Sequence, residues 1–442
     1  MREKAMSDEY KYTSPIPKIL NFLKDSLMLK IAMIAIIISL LTIPKSLILE
    51  LIAEREQRSA EVLNQIHQKW GGSQNIYGPI LSIPFNSDTG PKLIHLHPEE
   101  LNIQGQLKPE ERKKSIFKTI VYKGEMNYDF SFDLRSLKDL PTSKNLDYEK
   151  AILSFGISDL KGLSRSITLE VGKEKINALQ GIPISNGLSS GFHFPIQMDS
   201  EQVLLSMSTK LQFNGSQEIS LSPSGRKTLV QLQSSWPHPG FEGKYLPDTY
   251  QINDTGFNAQ WEVHDLQRTF VSSWFDQEQS PSSELCSVRL IQFNGSYSQV
   301  HRLVKYTLLF LCFTFAAIFI CERLGQINIH PLQYILVGFA SMMFYLLLLS
   351  VSEHLGFNLA YLIASLISTL MISLYSLSLL KSWKNALSIT LTTGGLYAYL
   401  FGTIQLEDYA LLMGSLGLII TLGIVMYFTR DLNSYKAVEV EA

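Results

Sequence analysis

Five long apolar runs follow one another in the second half of the chain, separated only by short polar segments. They are residues 303–321, 331–351, 356–380, 385–405 and 409–429. A helix of about 20 apolar residues crosses the roughly 30 Å hydrocarbon core of a bilayer, so each run predicts a membrane span. Buried helices of a water-soluble protein are the alternative, but five in series would leave no polar face for water. The sequence therefore predicts an integral membrane protein.

A sixth apolar segment lies near the start, at residues 27–49, and is long enough to span if Lys30 and Lys45 extend toward the membrane surface. A cleavable signal peptide is the competing interpretation. No small-residue cleavage pattern follows the segment, and a charged helical stretch at 50–70 continues directly from it until Gly71 predicts its end. We therefore expect six membrane helices, one N-terminal and five C-terminal.

Positive charge predicts the orientation of these helices. Six spans place both termini on one side, and the side richer in Lys and Arg is cytoplasmic. The basic residues predicted on that side are Arg2, Lys4, Lys11, Lys18, Lys24, Lys30, Arg323, Lys381, Lys384, Arg430 and Lys436. The two opposite loops, around Glu353 and Glu407, contain none. We therefore expect residues 1–26 and 430–442 to be cytoplasmic and residues 50–302 to lie outside.

Composition excludes some partners and one kind of stabilisation. The formal net charge is −2, and no Lys/Arg cluster alternates with aromatic residues, so nothing predicts a nucleic-acid partner. Only Cys286 of the three cysteines lies in the exported domain, which therefore cannot form an internal disulfide. This domain must depend on its own apolar core.

The exported domain has the pattern of short strands. Runs of alternating apolar and polar residues occur at 129–134, 166–171, 204–213, 218–221 and 228–232. Such runs, without long helical patterns between them, favour an antiparallel sandwich. Residues 99–114 have helical composition that Pro109 interrupts. The predicted fold class is an α+β membrane protein with a large, mostly β, sandwich-like domain inserted after the first helix.

One candidate binding surface is the segment WPHPGF, which begins at Trp236 and contains His238. Two prolines fix the backbone and an aromatic residue stands at each end, so the segment is rigid enough to present Trp236 and His238 to a partner. The alternative is a turn that caps the sandwich, with Trp236 and Phe241 packed inward.

His95 and His97 form a second candidate site. On a strand, two residues that are two apart share one face, and Glu99 and Glu100 follow closely, so the group has the donor types that hold Zn²⁺. The alternative is a solvated strand at the edge of the sheet. No third ligand stands at a clear spacing, so we predict neither a metal nor a cofactor.

Glu353 and His354 are the candidate residues of the membrane region. Ionisable groups at bilayer depth suggest ion or proton handling, whereas a position in an outer loop would expose both to water. The predicted spans contain no central carboxylate, which argues against a proton-coupled pump. Small residues predict close helix packing, namely Ala360, Ala364 and Ser368 in one span and Gly394, Gly395, Gly414 and Gly417 in the last two. No catalytic motif is present, so the sequence predicts no enzyme.

Several segments resemble one family in matching order along nearly the whole chain after residue 25. They are YGPILSIPF at 77–85, LHPEEL at 96–101, SSWPHPGFEGKYLPD at 234–248, GFNAQW at 256–261, SSWF at 272–275 and HPLQYILVGFASMMFYLLLLSVSEHLGF at 330–357. On these segments the chain resembles the CreD family of bacterial inner-membrane proteins. The resemblance implies an inner-membrane location, a periplasmic domain and a link to cell-envelope integrity and β-lactam response, with no catalytic residues to transfer.

Three functional hypotheses follow. In the first, the periplasmic domain binds or senses an envelope component, and the expected partners are membrane lipids and an envelope or periplasmic protein. In the second, the protein is a small secondary transporter or handles lipids, although an inverted repeat is missing. A metal-dependent hydrolase at His95 and His97 is the third and has the least support.

Overall fold

A computed structural model describes residues 27–406, apart from 88–89, 139–144, 164–165, 183–189, 200–201, 270, 276–283, 292–294, 326 and 381, and isolated positions between 412 and 426. The chain divides into two compact units. We call Met1–Gln57 with Asn294–Ala442 the membrane unit and Arg58–Phe293 the sheet unit. The predicted segments 1–26 and 430–442, and most of the predicted span 409–429, lie outside the described residues.

The helices of the described residues belong mostly to the membrane unit. In chain order they are α1 (Leu27–Leu40), α2 (Thr42–Trp70), α3 (Arg135–Lys138), α4 (Ser296–Lys305), α5 (Thr307–Leu324), α6 (Pro331–Leu355), α7 (Phe357–Leu380) and α8 (Trp383–Gln405). Helix α3 is a single turn in the sheet unit. Helix α2 extends from one unit into the other, so the predicted charged helix continues from the first apolar segment.

The prediction of six spans is wrong for the part of the chain that is described. Three helices there are long and apolar enough to cross a bilayer. They are α6, α7 and the continuous stretch Met28–Trp70, which joins α1 and α2. Helices α4 and α5 make a fourth if the 49° bend between them lies within one broken span. The predicted span 303–321 is thus interrupted at Tyr306. Helix α8 is present but is not among the helices apolar enough to cross a bilayer. Its first turn contains the polar residues Lys384 and Asn385.

Local sequence explains where these helices begin and end. Pro331 opens α6, where its missing N–H is not needed, and the His330 ring accepts a hydrogen bond of 3.2 Å from the Leu332 N–H. Gly356 ends α6 with φ of 78°, a conformation that glycine adopts without strain. Gly71 ends α2 with φ of 139°, and a Cβ there would lie 2.6 Å from the Asn214 carbonyl oxygen.

Helix packing in the membrane unit confirms part of the small-residue prediction. Ala360, Ala364 and Ser368 are all buried on α7. Beside them, Phe344 on α6 contacts the ring of Tyr397 on α8 at a centroid distance of 4.5 Å. Gly394 and Gly395, by contrast, face open space, because a Cβ on either would meet no atom within 4 Å. Those two glycines do not bring helices together among the described residues.

The sheet unit consists of strands β1 to β17. Their bounds are β1 Gln74–Ser87, β2 Gly90–Leu96, β3 Glu100–Lys114, β4 Phe117–Asp133, β5 Ala151–Ile157, β6 Thr168–Val171, β7 Glu174–Asn177, β8 Leu179–Gln180, β9 Gly191–Ile196, β10 Leu204–Ser216, β11 Glu218–Leu221, β12 Lys227–Ser234, β13 Pro239–Gly243, β14 Thr249–Asn253, β15 Gly256–His264, β16 Ser273–Phe275 and β17 Cys286–Leu290. Each of the five predicted alternating runs overlaps one of these strands, which confirms the period-two interpretation.

The strands form two sheets. The first has the order β13-β17-β11-β1-β5-β9-β8, with β2 added to β1 and β16 added to β2. The second has the order β14-β15-β12-β3-β4-β10-β6-β7. Two pairs, β1 with β11 and β3 with β12, are parallel, so the prediction of a purely antiparallel sandwich is wrong at these positions. Long connections separate the members of each parallel pair in sequence, as a parallel pair requires.

One apolar core lies between the two sheets. Phe155 of the first sheet contacts Tyr128 and Phe130 of the second at ring-centroid distances of 5.5 and 6.1 Å. Phe241 and Trp261 meet in the same way at 5.9 Å. The core continues through all the long central strands without a disulfide, because Cys286 is free and buried. Apolar burial therefore holds the sheet unit together.

The helical composition of residues 99–114 is misleading. The structure places Glu100–Lys114 in strand β3, with Leu101, Ile103 and Leu107 buried in alternation. Pro109 lies beyond Leu107, the last β3 residue that pairs with β12, so the missing N–H of Pro109 does not disrupt that pairing. Tertiary pairing on both sides of β3 outweighs the local helical preference.

Candidate functional site

The Trp236 segment is a turn that is tied to strand β17 and its continuation. The Trp236 indole N–H donates to the Ile291 carbonyl oxygen at 3.0 Å, and the Ile291 N–H donates to the His238 carbonyl oxygen at 3.1 Å. Trp236 and Phe241 are partly buried against the core, whereas the His238 side chain is exposed and meets the Trp236 ring edge-on at 6.2 Å. These contacts favour the capping turn and leave His238 accessible. A binding role for Trp236 and His238 stays a prediction.

Glu353 and His354 occupy the last turn of α6. The Tyr297 hydroxyl of α4 donates to Glu353 at 2.9 Å, so this partly buried carboxylate joins two helices of the membrane unit. The His354 side chain is exposed next to Gly356. The structure therefore brings Glu353 to Tyr297 and leaves His354 at the helix end, and a functional role for either residue stays a prediction.

The expectation of a solvated edge at His95 and His97 is wrong. Strand β16 covers the end of β2, and Trp274 contacts both imidazole rings, at centroid distances of 5.1 Å to His95 and 4.7 Å to His97. His95 also shares a hydrogen bond of 2.8 Å with the Ser82 hydroxyl. Burial, followed by the nearby charges of Arg268 and His95, lowers the pKa of His97 to about 3. His97 is therefore neutral at physiological pH.

No group of three His, Cys, Asp or Glu side chains that could hold a metal ion exists within the described residues. The histidine pair instead packs around an indole ring. It belongs to the interior of the sheet unit, where desolvation disfavours the charged imidazolium.

A buried carboxylate elsewhere in the sheet unit was not predicted. Glu284 is almost fully buried and pairs with Lys244, while the Tyr245 hydroxyl donates to Glu284 at 2.7 Å and the Thr269 hydroxyl also donates to it. Burial alone would raise the pKa of Glu284, but the hydrogen bonds from Lys244, Thr269 and Tyr245 lower it to about 2. Glu284 is thus an ionised, fully hydrogen-bonded anchor between segments distant in sequence.

Arg268 extends this polar interior. Its side chain is fully buried, donates to the Ser224 carbonyl oxygen at 2.9 Å and pairs with Asp265. The sequence carries no short motif for this arrangement. The only signal is indirect, because Tyr245 and Trp274 lie in two of the segments that carry the family resemblance.

The outer face of the second sheet carries an open depression of about 650 Å³. Its lining comes from five strands and includes the carboxylates of Glu100, Asp129 and Glu170, the hydroxyl of Ser206 and the ammonium of Lys227. These positions alternate with core residues along their strands, so they face outward and are not needed for packing. Alternation predicted four of the five lining strands, all except β3. The shared surface was not predicted, because strand order is not readable from local patterns.

Within the membrane unit, Glu322 is a buried carboxylate. It lies one residue beyond the predicted span 303–321, so the prediction did not include it. It pairs with Lys30 of α1 and accepts hydrogen bonds from the Tyr334 hydroxyl at 2.8 Å and the Ile329 N–H at 2.9 Å. Helix α5 continues to Leu324, past Cys321, where the apolar run ends. The network links α1, α5 and α6.

Comparisons with known proteins agree with the resemblance found in the sequence. A family model described as inner membrane protein CreD matches residues 26–435. The inner membrane protein CreD of Escherichia coli (strain K12) is 31% identical to this chain over 434 residues, which cover 93% of this chain and 95% of that protein. Both matches include the membrane unit and the sheet unit, and they confirm the predicted family.

The Glu284 network generates a pH-dependent prediction. A carboxylate with a lowered folded-state pKa stabilises the fold above its unfolded pKa, near 4.5, and this contribution disappears as the pH falls toward 2. We expect Glu284→Gln to destabilise the sheet unit at pH 7 by about 1.5–3 kcal/mol, the scale of hydrogen bonds to a charged group. Thermal unfolding of the full-length protein at pH 7 and pH 3 measures the effect.

Glu149→Gln is the matched control, because Glu149 is exposed on the same unit. The control should unfold like the wild type at both pH values. A Glu284→Gln variant whose deficit is as large at pH 3 as at pH 7 would contradict the account. At pH 3 the unfolded wild-type chain has this carboxyl mostly protonated, so that much of its stabilising contribution should be lost.

Proposed function

Because the chain belongs to the CreD family of inner membrane proteins, we propose that it contributes to cell-envelope integrity and to envelope stress or β-lactam response without catalysing a reaction. In this proposal residues 50–302 are periplasmic, residues 1–26 and 430–442 are cytoplasmic, and the sheet unit binds or senses an envelope component. The membrane unit anchors this domain and contacts membrane lipids. An envelope or periplasmic protein is a further expected partner.

The depression on the second sheet is the observation that carries the proposal. Its volume of about 650 Å³ is within the range of ligand sites. Typical small-molecule pockets are mostly apolar, whereas Glu100, Asp129 and Glu170 give this one a polar, mainly acidic lining, and it is open to solvent. An open polar surface suits an extended polar component of the envelope better than a small apolar ligand.

The strands beneath the depression support a preorganised surface. Leu101, Phe130 and Met207 alternate with the polar residues of the lining, and their side chains are buried in the core. Every strand that lines it is paired on both sides within the second sheet. Side chains on such a backbone keep their spacing, and a rigid surface reduces the entropy cost of binding.

Charge reversal tests the depression. We expect the double variant Asp129→Lys with Glu170→Lys to abolish most of the protein's contribution to survival under β-lactam or detergent stress, because it inverts the charge of the lining. The double variant is compared with the wild type in a strain that lacks its own copy of the gene. Protein levels are measured in parallel.

Glu149→Lys is the control, since Glu149 is exposed but does not line the depression. It should complement like the wild type. Full stress survival with the double variant at normal protein level would reject the depression as the site.

A small secondary transporter or lipid-handling protein is the second candidate, and buried Glu322 favours it. Ionisable residues inside a membrane helix bundle commonly mark substrate or proton pathways. Against it, all the contacts of Glu322 with Lys30, Tyr334 and Ile329 are those of a fixed link between helices. We therefore assign Glu322 a structural role.

Neutralising the Lys30–Glu322 pair distinguishes the envelope-binding function from transport. Lys30→Met alone should reduce the amount of folded protein, because removing one member of a buried pair costs about 3–5 kcal/mol. The double variant Lys30→Met with Glu322→Gln should restore both protein level and stress survival. A double variant that is stably produced but inactive would instead favour transport, since the charge itself would then be required.

A further inference from the structure

Two rows of amide side chains cross the outer face of the second sheet. Strand register places Gln260, Gln231, Gln104 and Asn127 side by side on β15, β12, β3 and β4. The next row, two residues further along the strands, contains the amides Gln251, Asn258, Gln233, Gln106 and Gln212 from β14, β15, β12, β3 and β10, with Glu125 of β4 between the last two. We call these nine side chains the amide band.

Most of the amide band is available to a ligand. Gln104, Gln106 and Gln233 are exposed, and their side chains have no hydrogen-bond partner within the described part of the chain. Only two side-chain hydrogen bonds involve the band there, from Gln231 to Gln260 at 3.4 Å and from Gln212 to Glu125 at 3.2 Å. Two depressions, of about 230 and 290 Å³, lie along it and are lined by Gln106 and Gln233 among others.

The amide band is electrically neutral. Glu125 stands within the second row on β4 and Lys210 continues the first row on β10, and these two opposite charges form an ion pair with each other. The acidic depression lies on one side, at Asp129, and Lys108 and Lys123 lie on the other. A polyanion or polycation would find no net charge along the two rows, so charge complementarity selects an uncharged ligand.

Amides combine a donor and an acceptor in one uncharged group. A hydroxyl group has the same dual character, and so does an acetamido group, so a sugar polymer bearing both can pair with successive amides along a row. Adjacent strands are about 4.8 Å apart, and the five steps from β14 to β10 therefore make the second row about 24 Å long. This length accommodates several sugar units of an extended chain.

We propose that the amide band binds a neutral glycan chain that carries hydroxyl and acetamido groups. The inference rests on the proposed function and names the chemical class of the envelope component that the sheet unit recognises. Gln104, Gln106 and Gln233 form the centre of the site, and each exchanges hydrogen bonds with water for hydrogen bonds with the glycan. The acidic depression borders the amide band and contacts hydroxyl or acetamido groups of the same glycan chain.

The test is a binding titration of the full-length protein in lipid nanodiscs with the linear hexamer of N-acetylglucosamine. We expect saturable binding that the triple variant Gln104→Ala, Gln106→Ala and Gln233→Ala weakens by about tenfold, because three hydrogen-bonding groups are lost. The control variant Asn86→Ala with Gln180→Ala changes two exposed amides of the first sheet and should bind like the wild type. Thermal unfolding confirms that both variants are folded.

Absence of saturable binding by the wild type, or equal binding by the folded triple variant, would overturn the glycan inference. Self-association of the wild type that the triple variant abolishes, without glycan binding, would also overturn it and assign the band to a second copy of the chain. The proposed function is judged separately by the stress survival of the Asp129 and Glu170 double variant. Loss of survival there without glycan binding would reject the glycan alone, whereas normal survival at normal protein level would reject the depression, which is the observation that carries the proposed function.

Discussion

The hydrocarbon core of a bilayer offers no hydrogen-bond partner to the polypeptide backbone, and this constraint divides the chain. Segments that cross it must be helical, so that each N–H and C=O is satisfied internally. The described helices α6 and α7 meet this requirement, and so does the long helix Met28–Trp70. Between the first helix and the others, residues Arg58–Phe293 form β-sheets with their own core. The β-sheet part of the chain can therefore expose polar side chains that no membrane helix could.

Packing uses only one face of each sheet. In the second sheet, Leu101, Ile103 and Leu107 of β3 enter the core, while Asn102, Gln104 and Gln106 face outward. Alternation along a strand makes this division unavoidable, but it leaves the chemistry of the outer positions free. An acidic depression and a neutral amide band are thus added to a fold that does not need them. The function proposed here depends on those added surfaces.

Local sequence patterns predicted most helices and strands. They did not predict the features that depend on which strands and loops lie side by side. The apolar runs predicted α6 and α7, alternation predicted strands such as β10, and six segments carried the family resemblance. Strand β3 was not predicted, because its composition is helical and only pairing with two neighbouring strands makes it extended. The amide rows and the Glu284 network combine residues that only strand order and loop paths bring together. Glu322 was missed because its apolar run ends at Cys321, whereas hydrogen bonding continues α5 to Leu324.

The account depends most on the sheet unit lying outside the inner membrane. The direct test is labelling of Ser206→Cys with a membrane-impermeant maleimide in cells whose outer membrane alone is permeabilised. Cys312 is replaced by Ser in this background, because it is the exposed native thiol among the described residues, whereas Cys286 and Cys321 are buried. The account predicts full labelling before lysis, with Lys384→Cys labelled only after it. Labelling of Ser206→Cys only after disruption of the inner membrane would contradict the account.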